Sequence, residues 1–265
     1  PYNEAGMGNV DGLEFVSFQH QEEVYSLMLD DLEKANQLLK NIPASATINR
    51  DILYNGNLSA WRKFANSLKV KILMRQSLKK DVKVQISTIF NNPTEYPVFD
   101  EVSEQAVLIY NNSTDYYKWF LKNPPADGSG IDFSADSRVS DVMVDLLAST
   151  NDPRLYIYAA PTKNSYTANQ SDPSNQLDYR GQQTGLSSLE QDELYASTGL
   201  DKNDFSVIGK RIRKENRAFL MTYSELLLLK AEAIVRQMDV QGDAGEIYED
   251  AIRASFDKWQ QTRQD

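Results

Sequence analysis

The sequence predicts a mainly α-helical protein, built from helical hairpins joined by long irregular excursions. Three observations carry that reading. Apolar residues recur at helical spacing in two paired regions, one towards each end of the chain. Turn and capping residues stand where those stripes begin. The stretches between them are polar and turn-rich, without a sustained period.

The first pair lies within residues 19–77. Val24, Leu27/Met28, Leu32, Ala35, Leu38/Leu39 and Ile42 form a stripe that predicts a helix over 19–40, stopped by Pro43. The connector PASATINRD follows. Asn55-Gly56 then marks a turn, and Asn57 is placed to cap a helix with its side-chain oxygen. Leu58, Trp61, Phe64/Ala65, Leu68 and Ile72 give that helix about five turns, with an antiparallel partner in 19–40. Trp61 and Phe64 are expected to pack in the core, and Asn66 to bond a neighbouring loop. A shorter helix is expected from Asp81 to about Asn91, ended by Asn92-Pro93.

The middle of the chain is less regular. AVLIY at 106–110 fits a strand inside a turn-rich stretch over 93–135. SADSRVSDVMVDLLAST at 134–150 reads as a helix, closed by Asn151-Asp152-Pro153. Residues 156–206 have the poorest periodicity and are expected to be irregular, yet carry Tyr156, Tyr158, Tyr166, Tyr179 and Tyr195. The second pair follows. Thr222 and Glu225 fit a capping box, with Met221 and Leu226 as its hydrophobic staple. Leu227, Ala231, Ile234 and Met238 mark one face of that helix; Leu228 and Val235 mark another, which predicts burial between layers. Ile247, Ala251/Ile252, Ser255 and Trp259 mark its partner, with Ser255 allowing a close helix approach.

Composition narrows the chemistry. With 265 residues, 41% hydrophobic and 25% charged, the chain is globular in class. A net charge of −10 disfavours nucleic acid and anionic lipid as partners. The absence of cysteine excludes disulfides, zinc–thiolate sites and cysteine nucleophiles. No stretch approaches the roughly 20 apolar residues of a membrane span. His20 is the single histidine, at the start of a helix, where it caps or faces solvent. No nucleophile elbow, zinc-protease motif or phosphate-binding glycine loop is present, so no cofactor and no catalytic or metal-binding residue is assigned. DKND at 201–204 lacks the glycine and terminal glutamate of a calcium loop and reads as a solvated turn.

Several segments together resemble one family. DILYNGNLSAWRKFANSLKVKILMRQS (51–77), NDPRL (151–155), YRGQQTG (179–185), FLMTYSELLLLKAEA (219–233) and YEDAIRASFDKW (248–259) are similar, in that order, to segments of the SusD/RagB outer-membrane lipoproteins of Bacteroidetes. PYNEA at 1–5 resembles a further one, and Asn57 stands where the family more often has Asp. The resemblance implies one SusD-like domain over 1–265, with tetratricopeptide-like helix pairs as its scaffold. It also implies a piece truncated at both ends, since family members extend further and carry a lipid anchor outside this stretch. The implied role is non-enzymatic. Such a protein binds a glycan, or in some members a peptide, at the cell surface and delivers it to a SusC-like TonB-dependent transporter. The implied location is the outer membrane.

Sugars are recognised by aromatic faces with polar neighbours. Aromatic residues in the irregular stretches are therefore the site candidates: Trp119, beside Tyr116 and Tyr117, and Tyr166 and Tyr179, with Asn164 and Arg180 as polar partners. The competing reading makes these rings anchors of loops on the scaffold. Two other functions stay open at this level: a helical-repeat scaffold for a protein partner, and a hydrolase using an unrecognised pair of carboxylates among 38 acidic residues.

Overall fold

The computed structural model describes residues 2, 4, 17–43, 45–110, 130–133, 137–213 and 217–260. The chain divides into two compact units, Pro1–Ile109 with Ala218–Asp265, and Tyr110–Arg217. The described residues are mostly helical, as the sequence predicts.

In the first unit, α1 (Gln21–Lys40) and α2 (Leu58–Gln76) form the first hairpin. Their cross-links fix the antiparallel sense: Arg62 reaches Asn36, Lys69 pairs with Glu33, and Lys80, just past α2, pairs with Glu22. The helix α2 starts as expected. Asn55 and Gly56 take positive φ of 53° and 86°, and Asn57 Oδ1 accepts from the Ala60 amide at 3.1 Å. The short helix α3 (Lys83–Asn91) follows, then β1 (Ala106–Ile109), which pairs with β2 (Arg217–Met221) in a two-stranded sheet. The second hairpin is α9 (Tyr223–Val235) with α10 (Ala244–Gln260).

The core of this unit gathers Val70, Leu73 and Met74 of α2, Ile86 and Ile89 of α3, Phe99, Met221, and Leu226 and Ala233 of α9. Buried polar groups tie the first hairpin to the chain beyond α3. Asn36, Asn66 and Ser67 are fully buried. Asn66 Nδ2 donates to Asn36 Oδ1 at 3.0 Å and to the Pro97 carbonyl at 2.9 Å, while Ser67 Oγ accepts from the Phe99 amide at 3.0 Å. Arg62 adds a bond to the Glu95 carbonyl at 2.6 Å. The loop partner expected of Asn66 is therefore residues 95–97, which α1 and α2 hold from one side.

The second hairpin departs from expectation in two ways. Thr222 Oγ1 accepts from the Glu225 amide at 3.1 Å, but Glu225 turns to Lys71 at 2.7 Å, so the box is a single cap. The face marked by Leu228 and Val235 is not buried between layers: these residues are 43% and 71% exposed. Burial between layers holds through other residues: Leu226 and Ala233 of α9 join the core with Val70 and Leu73, while Leu227 packs on Ala251 and Ala254, the small residues that with Ser255 let α10 approach. Removing the Thr222 hydroxyl by Thr222→Ala should lower stability by about 1 kcal/mol in urea unfolding. Ser224→Ala tests a different bond, since Ser224 Oγ donates to the Ala251 carbonyl at 2.7 Å and links the two helices.

The second unit holds more helix than its periodicity suggests. α4 is confined to Asp141–Ser149; Arg138–Ser140 are extended instead, because the Val139 amide and carbonyl bond the Ser206 carbonyl and the Gln182 amide. Asn151-Asp152-Pro153 ends α4 as expected, and Asp152 then grips the Arg154 guanidinium through Nε and Nη2. The stretch expected to be irregular contains α5 (Leu155–Tyr158), α6 (Lys163–Ser171) and α7 (Ser188–Thr198), and α8 (Lys210–Arg213) follows it. No residue of α6 or α7 is buried. Neither helix therefore carries an apolar stripe, and their polar caps hold them: Thr162 for α6, and a closed capping box of Ser187 and Glu190 for α7.

Extended segments knit this unit together. The Thr162 amide bonds the Asp178 carbonyl at 2.8 Å, the Ser206 amide bonds the Arg180 carbonyl at 2.7 Å, and the Ala160 amide bonds the Val207 carbonyl at 2.9 Å. Two small clusters fill the spaces between: Val139, Val144, Leu147, Leu155 and Ala159, and Ile131, Ala160 and Val207.

Candidate functional site

The residues singled out in the sequence fall into separate places. Trp119, with Tyr116 and Tyr117, lies outside the described residues. Tyr166 stands on α6 rather than in an irregular loop. Its ring tilts against Phe133 at 5.3 Å and packs on the Ile131–Ala160–Val207 cluster. That packing gives Tyr166 an anchoring role besides any contact with a ligand.

Tyr179 and Arg180 are neighbours in an extended segment, where successive side chains point to opposite faces. Tyr179 packs on the Val144 cluster; Arg180 runs beside Asp178, with Nη2 3.6 Å from Oδ2. The structure thus divides the proposed set. Tyr179 joins one face and Arg180 the other, where only the charge of Arg180 bears on Asp204, the acid that bonds Asn164. Asn164 Nδ2 donates to Asp204 Oδ1 at 2.7 Å, and the Asp204 Oδ2 accepts from the Asp201 amide at 2.9 Å. The Asp201 amide holds the Asp204 carboxyl below its ordinary pKa; partial burial opposes this, and Asn164 and the Arg180 charge reinforce it. Asp204 is thus an anion at neutral pH, with two donors fixed around it.

On the other face, Tyr156 completes the Tyr179 site. The two rings meet edge to face, with centroids 5.4 Å apart and planes at 71°. Tyr156 is 67% exposed although it is a large aromatic residue. Tyr179 is half-buried, and burial, then the neighbouring Tyr156, raises its phenol pKa. One ring is therefore fixed on the core and supports a second that faces solvent. Such a pair offers a rigid apolar face with hydroxyls at its edge, the surface that stacks on a sugar ring or a peptide side chain.

Tyr156 and Asp204 are the residues that reading the sequence for a site passed over. Tyr156 stood among five tyrosines with no sign of which were exposed. Asp204 lies in DKND, which is a capped 3₁₀ turn as expected of a solvated turn, but its second acid is turned inwards to Asn164. The D-x-x-D spacing, which lets each acid cap the other's backbone, was the available signal. Among the described residues, no three His, Cys, Asp or Glu side chains gather in a way that could hold a metal. No helix there is long and apolar enough to cross a membrane. His20 occupies the N-cap position of α1, but its side chain makes no cap bond.

A family model described as SusD-like, starch-binding and associating with the outer membrane matches residues 1–265. The chain belongs to the SusD-like family. Solved SusD-like structures agree. An outer-membrane protein of Bacteroides vulgatus, described as involved in nutrient binding, is 29% identical, with a TM-score of 0.76 over 98% of this chain and 55% of that one. A SusD homologue of Bacteroides fragilis is 26% identical, with a TM-score of 0.70 over 98% of this chain and 53% of that one. A second SusD homologue from Bacteroides fragilis, 23% identical, shares the fold with a TM-score of 0.73 over 100% of this chain and 54% of that one. The SusD-like chain thus spans about half the length of these structures. No curated protein matches the sequence.

Proposed function

We propose that this SusD-like chain is part of a non-catalytic nutrient-binding protein held at the outer-membrane surface by a lipid anchor. Its ligand is a glycan rather than a peptide, and it hands that ligand to a SusC-like TonB-dependent transporter. Family membership supports the class. The single observation that supports binding by this part of the protein is the exposed ring of Tyr156, braced on Tyr179. A tyrosine 67% exposed leaves its apolar face in water, and stacking on a sugar removes that face from water. On the opposite face, Asn164, bonded to Asp204, and Arg180, beside Asp178, are proposed as separate polar contacts, with Trp119 and Tyr166 as further rings.

The test is calorimetry with a glycan and peptide panel, followed by single substitutions. Tyr156→Ala should weaken binding of the selected glycan about fivefold to tenfold, the scale of one aromatic contact, with almost no change in melting temperature. Tyr179→Ala should weaken binding by a similar factor and also lower the melting temperature, because its ring packs on the Val144 cluster. Salt should barely alter affinity for a neutral glycan. Unchanged affinity in both variants would move the site away from this face. Turnover of any panel member would overturn the non-catalytic reading.

A further inference from the structure

The turn before α2 holds a reactive pair of residues. Asn55-Gly56 is the single Asn-Gly step of the sequence. In such a step the glycine nitrogen, once it loses its proton, can attack the asparagine side-chain carbonyl, because no glycine Cβ hinders the approach. The fold nevertheless requires this step. Asn55 and Gly56 are the central residues of a turn closed by the Asn57 amide on the Tyr54 carbonyl at 3.0 Å, and both have positive φ, the conformation that Asn-Gly adopts most readily. A Cβ at position 56 would stand 2.8 Å from the Ile48 carbonyl oxygen, so a side chain there would be crowded as well as strained.

The two reacting groups are held differently. Asn55 is exposed, and its side chain makes no hydrogen bond among the described residues. Gly56 is buried, and its amide donates to Asp51 Oδ2 at 2.9 Å. The electrophile is free and the nucleophile is not. Bonds from the Leu53 amide and the Trp61 indole keep the carboxylate in place. Removing the Gly56 proton would break a charge-assisted hydrogen bond and set a nitrogen anion beside a carboxylate. A hydrogen bond to a charged group shifts that equilibrium about tenfold to a hundredfold.

We propose that Asn55 is a deamidation site that Asp51 holds off while the chain is folded. In the reaction the Gly56 nitrogen gives its proton to hydroxide and bonds to Asn55 Cγ. The Cγ–Nδ2 bond breaks, and the nitrogen leaves as ammonia after taking a proton from water, which restores the hydroxide. Water then opens the cyclic imide at either carbonyl, giving aspartate or isoaspartate. Nothing is oxidised or reduced. Either product adds a negative charge to the turn that holds Asp51. Isoaspartate also adds a methylene to the main chain inside that turn. Deamidation is thus a one-way switch that frees the start of α2. The inference does not rest on the glycan reading.

The test is peptide mapping by mass spectrometry, with the full chain kept at mildly alkaline pH. Folded wild type should form aspartate and isoaspartate at position 55 slowly, and the same chain unfolded in urea much faster. Asp51→Ala, which removes the acceptor, should react about tenfold to a hundredfold faster than wild type while the α9 amides keep their protection from exchange. Leu226→Ala weakens the same core but keeps Asp51, and should stay near the wild-type rate. Equal acceleration in the two variants would assign the protection to stability alone and overturn the proposal. Hydrogen exchange removes the same proton and needs no variant. The wild-type Gly56 amide should exchange about tenfold to a hundredfold more slowly than a free amide. A freely exchanging Gly56 amide, or equal deamidation of folded and unfolded wild type, would also overturn the proposal. The isolated isoaspartyl chain should lose protection at the Ala60 and Trp61 amides, which bond Asn57 in the intact turn. Full protection there would refute the switch.

Discussion

Gly209→Ala should cost the second unit on the order of 3–4 kcal/mol. A Cβ at this position would stand 2.1 Å from the Ile157 carbonyl oxygen and 2.9 Å from its carbon. Both atoms are backbone, so no side-chain rotation relieves the overlap. The extended segment would have to retreat by about 1 Å to restore ordinary contact. That movement works against the Gly209 amide bond to the Tyr158 carbonyl at 2.8 Å and the neighbouring Ala160 bond to Val207. Gly181 is a second such point, since its Cβ would meet the Asp141 backbone at 2.3 Å.

Gly199→Ala is the control that separates steric overlap from backbone conformation. Gly199 caps α7 with φ of 71°, and nothing lies within 4 Å of its would-be Cβ. Its substitution incurs only the left-handed conformation, about 1 kcal/mol. Urea unfolding should rank the two variants well apart. Hydrogen exchange should show lost protection in Gly209→Ala at the Ala160, Ser206 and Gly209 amides, while the α2 amides keep theirs. Equal stability of Gly209→Ala and Gly199→Ala would mean that the approach of Gly209 to α5 is looser than the structure shows.

Most of the first unit was legible because its information is local. The α2 start needs only Asn55, Gly56 and Asn57, and the stripes of α1, α2 and α10 repeat over several turns. The second unit was less legible because its order is not written as periodicity. α6 and α7 bury no residue, so only Thr162 and the Ser187–Glu190 box announce them, and short polar caps are easily taken for loop. Val139 of Arg138–Ser140 continues the helical spacing of apolar residues in α4, but its backbone bonds are taken by residues more than 40 positions away, a tertiary choice that overrides the local pattern. The candidate site shows the same limit. Tyr179 and Arg180 looked like one site in the sequence because they are adjacent, and the extended backbone sends them to opposite faces. Leu228 and Val235 failed for another reason: an apolar residue on a helix reports a preference for burial and does not name the element that would cover it.

Asp51→Asn should destabilise the first unit by about 2–3 kcal/mol, although it removes no atom from the core. Asp51 explains the spacing of DILYNGNLSAW. Its Oδ1 accepts from the Leu53 amide at 2.9 Å. Its Oδ2 accepts from the Gly56 amide at 2.9 Å, the Trp61 indole at 2.8 Å and, more weakly, the Tyr54 amide at 3.3 Å. One carboxylate thus closes the turn and pins the first turn of α2, and Trp61, so held, packs edge to face on Tyr54 at 5.5 Å. This is why Trp61 is half-buried at the rim of the core rather than inside it. Asparagine has one oxygen, so its amide nitrogen must face either the Leu53 donor or the three donors on Oδ2. The ionised acid has acceptors for both. Desolvation raises the Asp51 pKa, but the Leu53 and Gly56 amides, the indole and the Tyr54 amide outweigh it and leave the group below its ordinary value. A depressed folded-state pKa fixes the sign. The contribution is fully present above the unfolded value near 4 and is lost as pH falls through the lower folded value. The stability gap between wild type and Asp51→Asn should therefore stay constant from about pH 7 to 5 and close below about pH 4. A gap that persists to about pH 2 would show that the side chain acts through shape and not through charge.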